Sequence, residues 1–443
     1  MPSATQPAPA SMYRRTEGLG IWEHKGKVAA VGIGHSPVDR RWDGKPETSV
    51  GAYAIVALRN AMKDAGITAD QVDGLVMDAS TTTGAEWPAG RPLPEEFVKA
   101  FKPGANHVDG ISSLSTEWII ANMPELAHVK YTQYGPGCMS NCVCVAAQAV
   151  GDGKTKVCLV LKAWDNLEGR YGQGGENAED TIAGRAAFSN PWGPTGPYLW
   201  AHMFNEYTKK YGGNHDQMAN FVLNETRNGL LFPEGFWAQH RPEVLTKEDY
   251  LSSRWIVKPA NLYDCDIPIT VAVAYVFTTP ERAKDMKQKP VYIWNTTATN
   301  PRNRGIIQTL DEGQASTDFT GRKLYEGAGI KPSDLSFENM YDGYTLFHQF
   351  FLEGLRFAGV QRGEALDFYE TADLTIEGPH PVSPSGGNRG SGRTRIWMHT
   401  DCIQQIQGRA GARQITGVKP EIGVSGGPMP TSGNFLIWSA TPN

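Results

Sequence analysis

Tyr341 and Tyr344 flank Asp342 and Gly343 at the end of a strand, so four consecutive residues carry two phenols and a carboxylate. A phenol can take a proton from an alcohol and return one to carbon. Its ordinary pKa of ~10 means that a base role needs either a lowered value or a transfer concerted with bond cleavage. Tyr344 is the first choice for such a base and Tyr341 the second. Asp342 reads as a cap on the following helix ahead of a direct acid role. His348 starts that helix, one turn beyond Tyr344, and is either a site residue or a packing histidine; His380 and His399 carry less weight. Cys138, Cys142 and Cys144 have C-x3-C-x-C spacing, but no second Cys/His cluster would complete a four-coordinate zinc site, so no metal is expected. Small buried residues on a packed helix are the plainer reading of Cys142 and Cys144.

The elements that must hold these residues show an internal repeat. Residues 27–34 read as a strand, 49–66 as a helix with apolar positions at helical spacing, and 72–78 as the next strand. The phrase AMKDAGITADQVDGLVMD (61–78) returns as LYEGAGIKPSDLSFENMYD (324–342), offset by 263 residues at the shared Ala-Gly-Ile. A second echo pairs residues 145–163 with 401–424, each a helix closed by Gly, a basic loop and an apolar strand. Two matched pairs in the same order predict a duplicated α/β unit with mostly parallel, buried sheets, and five layers of helix, sheet, helix, sheet, helix. Residues 164–253 lose the strand signal and gain aromatics, Gly and Pro, which marks an inserted lobe over the strand ends. The expected organisation is a loose tail at 1–24, a first half at 25–163 and 254–286, the lobe at 164–253, and a second half at 287–443.

Composition sets the outer bounds. The chain has 42 Lys+Arg against 47 Asp+Glu, a net charge of −5, which leaves no footprint for nucleic acid or anionic lipid. Gly (49) and Pro (29) exceed ordinary usage yet fall short of disorder, so turns and irregular loops are abundant. There is no apolar run of membrane length and no apolar signal segment at the start, so a cytoplasmic protein with no membrane association is expected.

A duplicated α/β core with an inserted lobe, a Cys after Gly before an Ala-rich helix, and SGG ahead of a Gly-rich strand together resemble the thiolase superfamily over about residues 25–440. The sequence is most similar to the sterol-carrier-protein thiolase branch and its bacterial lipid-transfer-protein aldolases, which shorten steroid side chains. The resemblance implies a homodimer with a five-layer αβαβα core and a coenzyme A thioester as substrate under the lobe, without a further cofactor. It places Cys138, in PGCMSN, at the nucleophile position. The family's GHP histidine is missing from Ser385-Gly-Gly-Asn-Arg-Gly-Ser-Gly-Arg393, where Asn388 or Arg389 stands instead, and the second family cysteine is missing from Gly423-Val-Ser-Gly-Gly427. Arg cannot act as a base at neutral pH, so Cys138 is either a relic lining the pocket or a nucleophile without its usual partner. The aldolase subgroup shares the Tyr motif.

That resemblance implies retro-aldol cleavage of a β-hydroxyacyl-CoA with a bulky steroid or bile acid side chain, giving a ketone and a short acyl-CoA. Arg389 would supply a positive field to the phenol. Backbone N–H groups at Gly386, Gly387, Gly426 and Gly427 would receive the enolate oxygen, unless these glycines serve sheet packing alone. Lobe aromatics Trp192, Tyr198, Trp200, Phe204, Phe232, Phe236 and Trp237 would either line a substrate pocket or form ordinary core. The subgroup further implies a small zinc-ribbon and OB-fold partner docked on the dimer as a heterotetramer. The competing readings are a thiolase or acyltransferase using Cys138, and a non-catalytic lipid-binding subunit.

Overall fold

The computed structural model describes residues 20–78, 87–88, 90–102, 110–135, 138–167, 196–298, 309–427 and 433–443. Its first strand, β1 (Ala29–His35), is followed by helix α1 (Val50–Ala65) and strand β2 (Gly74–Met77). Ser49 caps α1 by accepting from the Ala52 N–H, and Gly66 ends it at φ 73°, a left-handed conformation that suits glycine. Strand β3 (Tyr131–Tyr134), helix α2 (Met139–Gly151) and strand β4 (Val157–Trp164) follow. The lobe carries α3 (Gly196–Tyr211) and α4 (Ala219–Leu230), and then a hairpin of β5 (Trp255–Val257) and β6 (Ala260–Asn261). Strand β7 (Val271–Thr278) returns to the main sheet.

The second half repeats the order: β8 (Val291–Ala298), α5 (Leu310–Ala328), β9 (Phe337–Met340), α6 (His348–Gly354), α7 (Gly387–Ser391), α8 (Trp397–Gln407), β10 (Ile422–Gly427) and β11 (Asn434–Ser439). The nine long-range strands run β3-β2-β4-β7-β1-β8-β11-β10-β9. Beyond β9 lies a parallel bridge from Glu338 to Val382, the counterpart of β3 beside β2. β4 runs parallel to β2 and antiparallel to β7; β10 runs parallel to β9 and antiparallel to β11. The two Ala-Gly-Ile signals are equivalent helix stops, Gly329 closing α5 at φ 65° as Gly66 closes α1.

The two halves meet where β1 pairs with β8 at Ala29–Ala30. Helices α1 and α5 cover the outer side, whereas α2 and α8 build the inner core, α2 touching β4 and β2 as well as β11 and β8. The layered order is that of a thiolase-like fold, but among the described residues the expected mostly parallel sheets are not found. The nine strands form one mixed sheet in which five of the eight neighbouring pairs are antiparallel, because the strands from β4 through β7, β1, β8 and β11 to β10 each run against the next. Alternation along a strand divides its residues between the two cores: in β7, Ala272, Ala274 and Val276 face one and Val273, Tyr275 and Phe277 the other. Residues 1–19 of the predicted tail lie outside the described residues, while the Trp22 N–H donates to Gly327 and the His24 ring meets Asp152. The amphipathic stretches at 201–211 and 215–228 fall within α3 and within a 3-10 turn at His215–Met218 running into α4. No helix among the described residues is long and apolar enough to cross a membrane.

Candidate active site

Strand β9 delivers Tyr341 beside β10, where the Tyr341 N–H donates to the Gly426 carbonyl at 2.8 Å. Gly427 follows at φ 138°, and a Cβ there would collide with the Cβ of Tyr341, so glycine makes room for the phenol. The chain then turns through Asp342 and Gly343 to Tyr344, which pairs with Cys265 across an antiparallel bridge. Cys265 belongs to the segment Asp264-Cys265-Asp266 between hairpin and β7. The Asp266 N–H donates to the Gly343 carbonyl at 2.9 Å, and the Thr345 hydroxyl donates to Asp264 at 2.5 Å. Asp264 also meets His215 at 2.6 Å and accepts from the Tyr250 hydroxyl at 2.9 Å, tying the lobe to the same loop.

Two phenols, one carboxylate and two guanidiniums converge here. Tyr341, 1% exposed, lies across Gly343 from Asp266, which is 3% exposed. Arg393 Nε lies 3.6 Å from Asp266 Oδ2, and the Arg395 guanidinium sits 5.9 Å from the Tyr341 ring centre. Arg395 has φ 56°, a left-handed backbone that a non-glycine residue rarely adopts. Both arginines stack over Trp164 at 5.4 Å. Burial, with the repulsion of Asp266, pushes Tyr341 up to about 12 against the pull of Arg395 and Arg393. The same burial, again reinforced by Asp266, raises Tyr344, which retains partial exposure. Burial raises Asp266 to about 7 despite Arg393. At neutral pH both phenols hold their protons, while the carboxyl is poised to exchange one.

Several expectations change. Arg389 does not face the phenols: its guanidinium turns into the lobe, to Glu225 at 3.4 Å, the Val222 carbonyl at 2.8 Å and the Thr226 hydroxyl. The positive field comes from Arg393 and Arg395, four and six residues further on, because the short helix α7 rotates Arg389 to its opposite side. Asp342 is a cap, but on α7: it accepts from the backbone N–H groups of Asn388 at 2.7 Å and Arg389 at 2.9 Å, and from Asn388 Nδ2 at 2.8 Å. Asn388 also accepts from the N–H groups of Thr394 and Arg395, which holds the arginine loop in place. The glycine amides are spoken for. Gly386 N–H donates to the Ser383 carbonyl and Gly387 N–H to Ser385 Oγ, both at 3.0 Å, and Gly426 and Gly427 lie in the β10–β11 ladder.

His348 is fully buried between Tyr369, 2.7 Å from Nδ1, and Glu338, 3.2 Å from Nε2, and stacks on Phe221; it packs α6 against the lobe. Phe204, Phe232, Phe236 and Trp237 are core residues, with Phe232 against Trp397 and the Trp237 N–H donating to the Arg389 carbonyl. Trp192 and the side chains of Tyr198 and Trp200 lie outside the described residues. Cys138 stands at the N-cap of α2, 3% exposed, where the resemblance places a nucleophile. His399 joins Ser140 of α2 to Ser425 of β10 at 2.8 and 2.6 Å, and burial lowers it to about 3.

Among the described residues, Glu23, His24 and Asp152 form the group with metal-ligand atoms close together, at the N-terminal segment rather than in the Tyr loop; Asp152 also pairs with Lys154. Sequence reasoning missed Asp266, Arg393 and Arg395 as site residues. The signal available was the Asp-Cys-Asp phrase ahead of the β7 run and the Arg-Thr-Arg that ends the glycine loop.

A family model described as thiolase C-terminal domain-like matches residues 299–438. The steroid side-chain-cleaving aldolase of Thermomonospora curvata is 27% identical over 425 residues, covering 93% of this chain and 98% of the relative. The 17-hydroxy-3-oxo-4-pregnene-20-carboxyl-CoA lyase of Mycobacterium tuberculosis is 27% identical over 429 residues, covering 93% and 99%. Among solved structures, an Ltp2-ChsH2(DUF35) aldolase shares the fold with a TM-score of 0.75 at 23% identity, covering 94% of this chain and 98% of that one.

Proposed function

Since the chain belongs to the thiolase-like, sterol-carrier-protein thiolase family, we propose that it is a carbon–carbon lyase, cleaving a β-hydroxyacyl-CoA with a bulky steroid side chain by a retro-aldol reaction. The products would be a ketosteroid and a short acyl-CoA such as propionyl-CoA or acetyl-CoA. The observation that carries this reading is the Tyr341–Tyr344 pair held over Asp266, Arg393 and Arg395, in a chain without the family's GHP histidine. Two relatives with names of this chemistry, each matching more than nine-tenths of the chain, support it.

Tyr344, the more exposed phenol, moves the proton at the β-hydroxyl, with Tyr341 behind it. Because burial raises both phenols, a standing phenolate is disfavoured at neutral pH, so proton transfer accompanies cleavage of the α–β bond. Arg393 and Arg395 stabilise the negative charge that develops. A DUF35-type protein of zinc-ribbon and OB-fold architecture is the proposed partner, docked on a homodimer to form a heterotetramer, by analogy with the solved aldolase.

The second reading, an acyltransferase, rests on Cys138 at the N-terminus of α2. One experiment separates the two: purify the chain with its host partner, supply 17-hydroxy-3-oxo-4-pregnene-20-carboxyl-CoA, and follow products by mass spectrometry. The lyase reading expects Tyr344→Phe to lower kcat ~10²–10⁴-fold while Cys138→Ala stays within ~3-fold of wild type. The reverse pattern, with a trapped acyl-enzyme, sinks it.

A further inference from the structure

We propose that Asp266 is the proton acceptor behind the two phenols: the proton leaving the substrate's β-hydroxyl passes through a phenolic oxygen to the Asp266 carboxylate, and returns from it to the enolate carbon. The proposal rests on the lyase reading above and deepens it. Asp266 meets the substrate through tyrosine, so it is a positioning and proton-holding residue rather than one that contacts the reacting atoms.

Geometry carries the assignment. The Asp266 backbone is fixed to the phenol loop by its N–H bond to the Gly343 carbonyl, so carboxylate and phenols are held as one unit. The Tyr341 hydroxyl and Asp266 Oδ2 lie on either side of Gly343, which has no room for a side chain: a Cβ there would collide with the hydroxyl and lie 2.5 Å from Oδ2. A proton route between phenol and carboxylate is therefore preformed. The groups facing Asp266 are Arg393 and Arg395 from the loop after α7, Tyr341, Asp342 and Tyr344 from the loop after β9, and Cys265, which acts on Tyr344, from its own segment. Charges of both signs surround the carboxyl, and burial leaves it readily protonated near neutrality, as a general base needs.

The neighbouring carboxylates are committed to structure. Asp342 accepts two backbone N–H groups at the start of α7 and the Asn388 side-chain amide. Asp264 receives Tyr250, Thr345 and the Asn261 N–H, and meets His215. Glu338 takes the Met340 and Ser383 N–H groups and meets His348. Asp266 is the one whose carboxylate oxygen shares the space around Gly343 with the Tyr341 hydroxyl.

The step balances without a further reactant. The substrate O–H bond breaks and its electrons form the ketone, the α–β bonding pair passes to the thioester as an enolate, and the proton is stored on Asp266. The enolate carbon then takes a proton from Tyr344, which is reprotonated from Asp266 by way of Tyr341.

The test is the pH dependence of single-turnover cleavage of 17-hydroxy-3-oxo-4-pregnene-20-carboxyl-CoA by the chain purified with its host partner. Wild type should gain rate as pH rises through about 7, where Asp266 loses its proton. Asp266→Asn should lower the rate ~10²–10⁴-fold and abolish that limb while KM moves less than ~3-fold, and Asp266→Glu should restore part of both. An Asp266→Asn rate within ~3-fold of wild type, or an unchanged limb, overturns the proposal. If Asp266→Asn does not fold, Arg393→Gln decides: losing that cation should move the limb to higher pH, and an unmoved or lowered limb overturns the proposal. A wild type that cleaves nothing, or a fully active Tyr344→Phe, sinks the lyase reading itself. An inactive Tyr344→Phe beside a normal Asp266→Asn sinks only the role of Asp266.

Discussion

The two halves end their matched strands in the same backbone geometry and opposite chemistry. In the first half the Asp78 N–H donates to the Leu161 carbonyl where β2 leaves β4; in the second the Tyr341 N–H donates to the Gly426 carbonyl where β9 leaves β10. One residue further along each partner strand stands Lys162 or Gly427. Lys162 closes its crevice with a fully buried ion pair to Asp78 at 2.5 Å. Gly427 leaves its crevice open, and Tyr341 occupies it. The duplication thus supplied two equivalent strand ends, one sealed by opposite charges and the other fitted with a phenol.

The largest loss of stability is expected at Lys162. Lys162→Met strands Asp78 without its ammonium and should lower unfolding stability by ~3–5 kcal/mol, whereas Asp78→Leu with Lys162→Met should recover most of the loss, as read from urea denaturation. If the single and double variants are equally unstable, the pair is not what seals the first half. On the other side, Gly427→Ala forces a Cβ into Tyr341 at a left-handed backbone position; a cost of about 2–4 kcal/mol is expected, with cleavage reduced more than stability explains.

His399, which bridges α2 of the first half and β10 of the second, makes the junction between them sensitive to pH. The folded chain keeps it neutral down to about 3, whereas an unfolded histidine takes its proton near ~6.5. Its contribution is therefore complete above ~6.5 and is lost as pH falls toward 3, by ~2 kcal/mol at pH 5; His399→Gln should flatten that slope in urea midpoints measured against pH. The smallest effects belong to exposed ion pairs, Arg59–Glu125 in the first half and Arg227–Glu377 joining α4 to the second. Replacing either arginine by Ala should change stability by less than ~1 kcal/mol.

Much of this architecture was legible in the sequence because periodicity and punctuation are local. The Ala-Gly-Ile stops, spaced by 263 residues, mark two helix ends whose glycines both adopt left-handed backbone, and the strands that follow start 263 residues apart, at Gly74 and Phe337. The Tyr341–Tyr344 phrase was legible for the same reason. Asp266 was not, since it reads as the lead-in to β7 and meets the phenols only through a bridge formed on folding. Nor was the choice among Arg389, Arg393 and Arg395, which depends on how one short helix turns. The Asp342 cap had the right chemistry, but the helix it caps begins 45 residues away at Gly387.

Asp264 gathers His215 and Tyr250 from the lobe and Thr345 from the phenol loop onto a single carboxylate. The helical segment between β4 and β7 is consequently not an interchangeable unit. Exchanging it with that of a relative would have to carry positions 215, 250 and 264 together, and a graft that split them would register as a catalytic defect although no catalytic side chain had been touched.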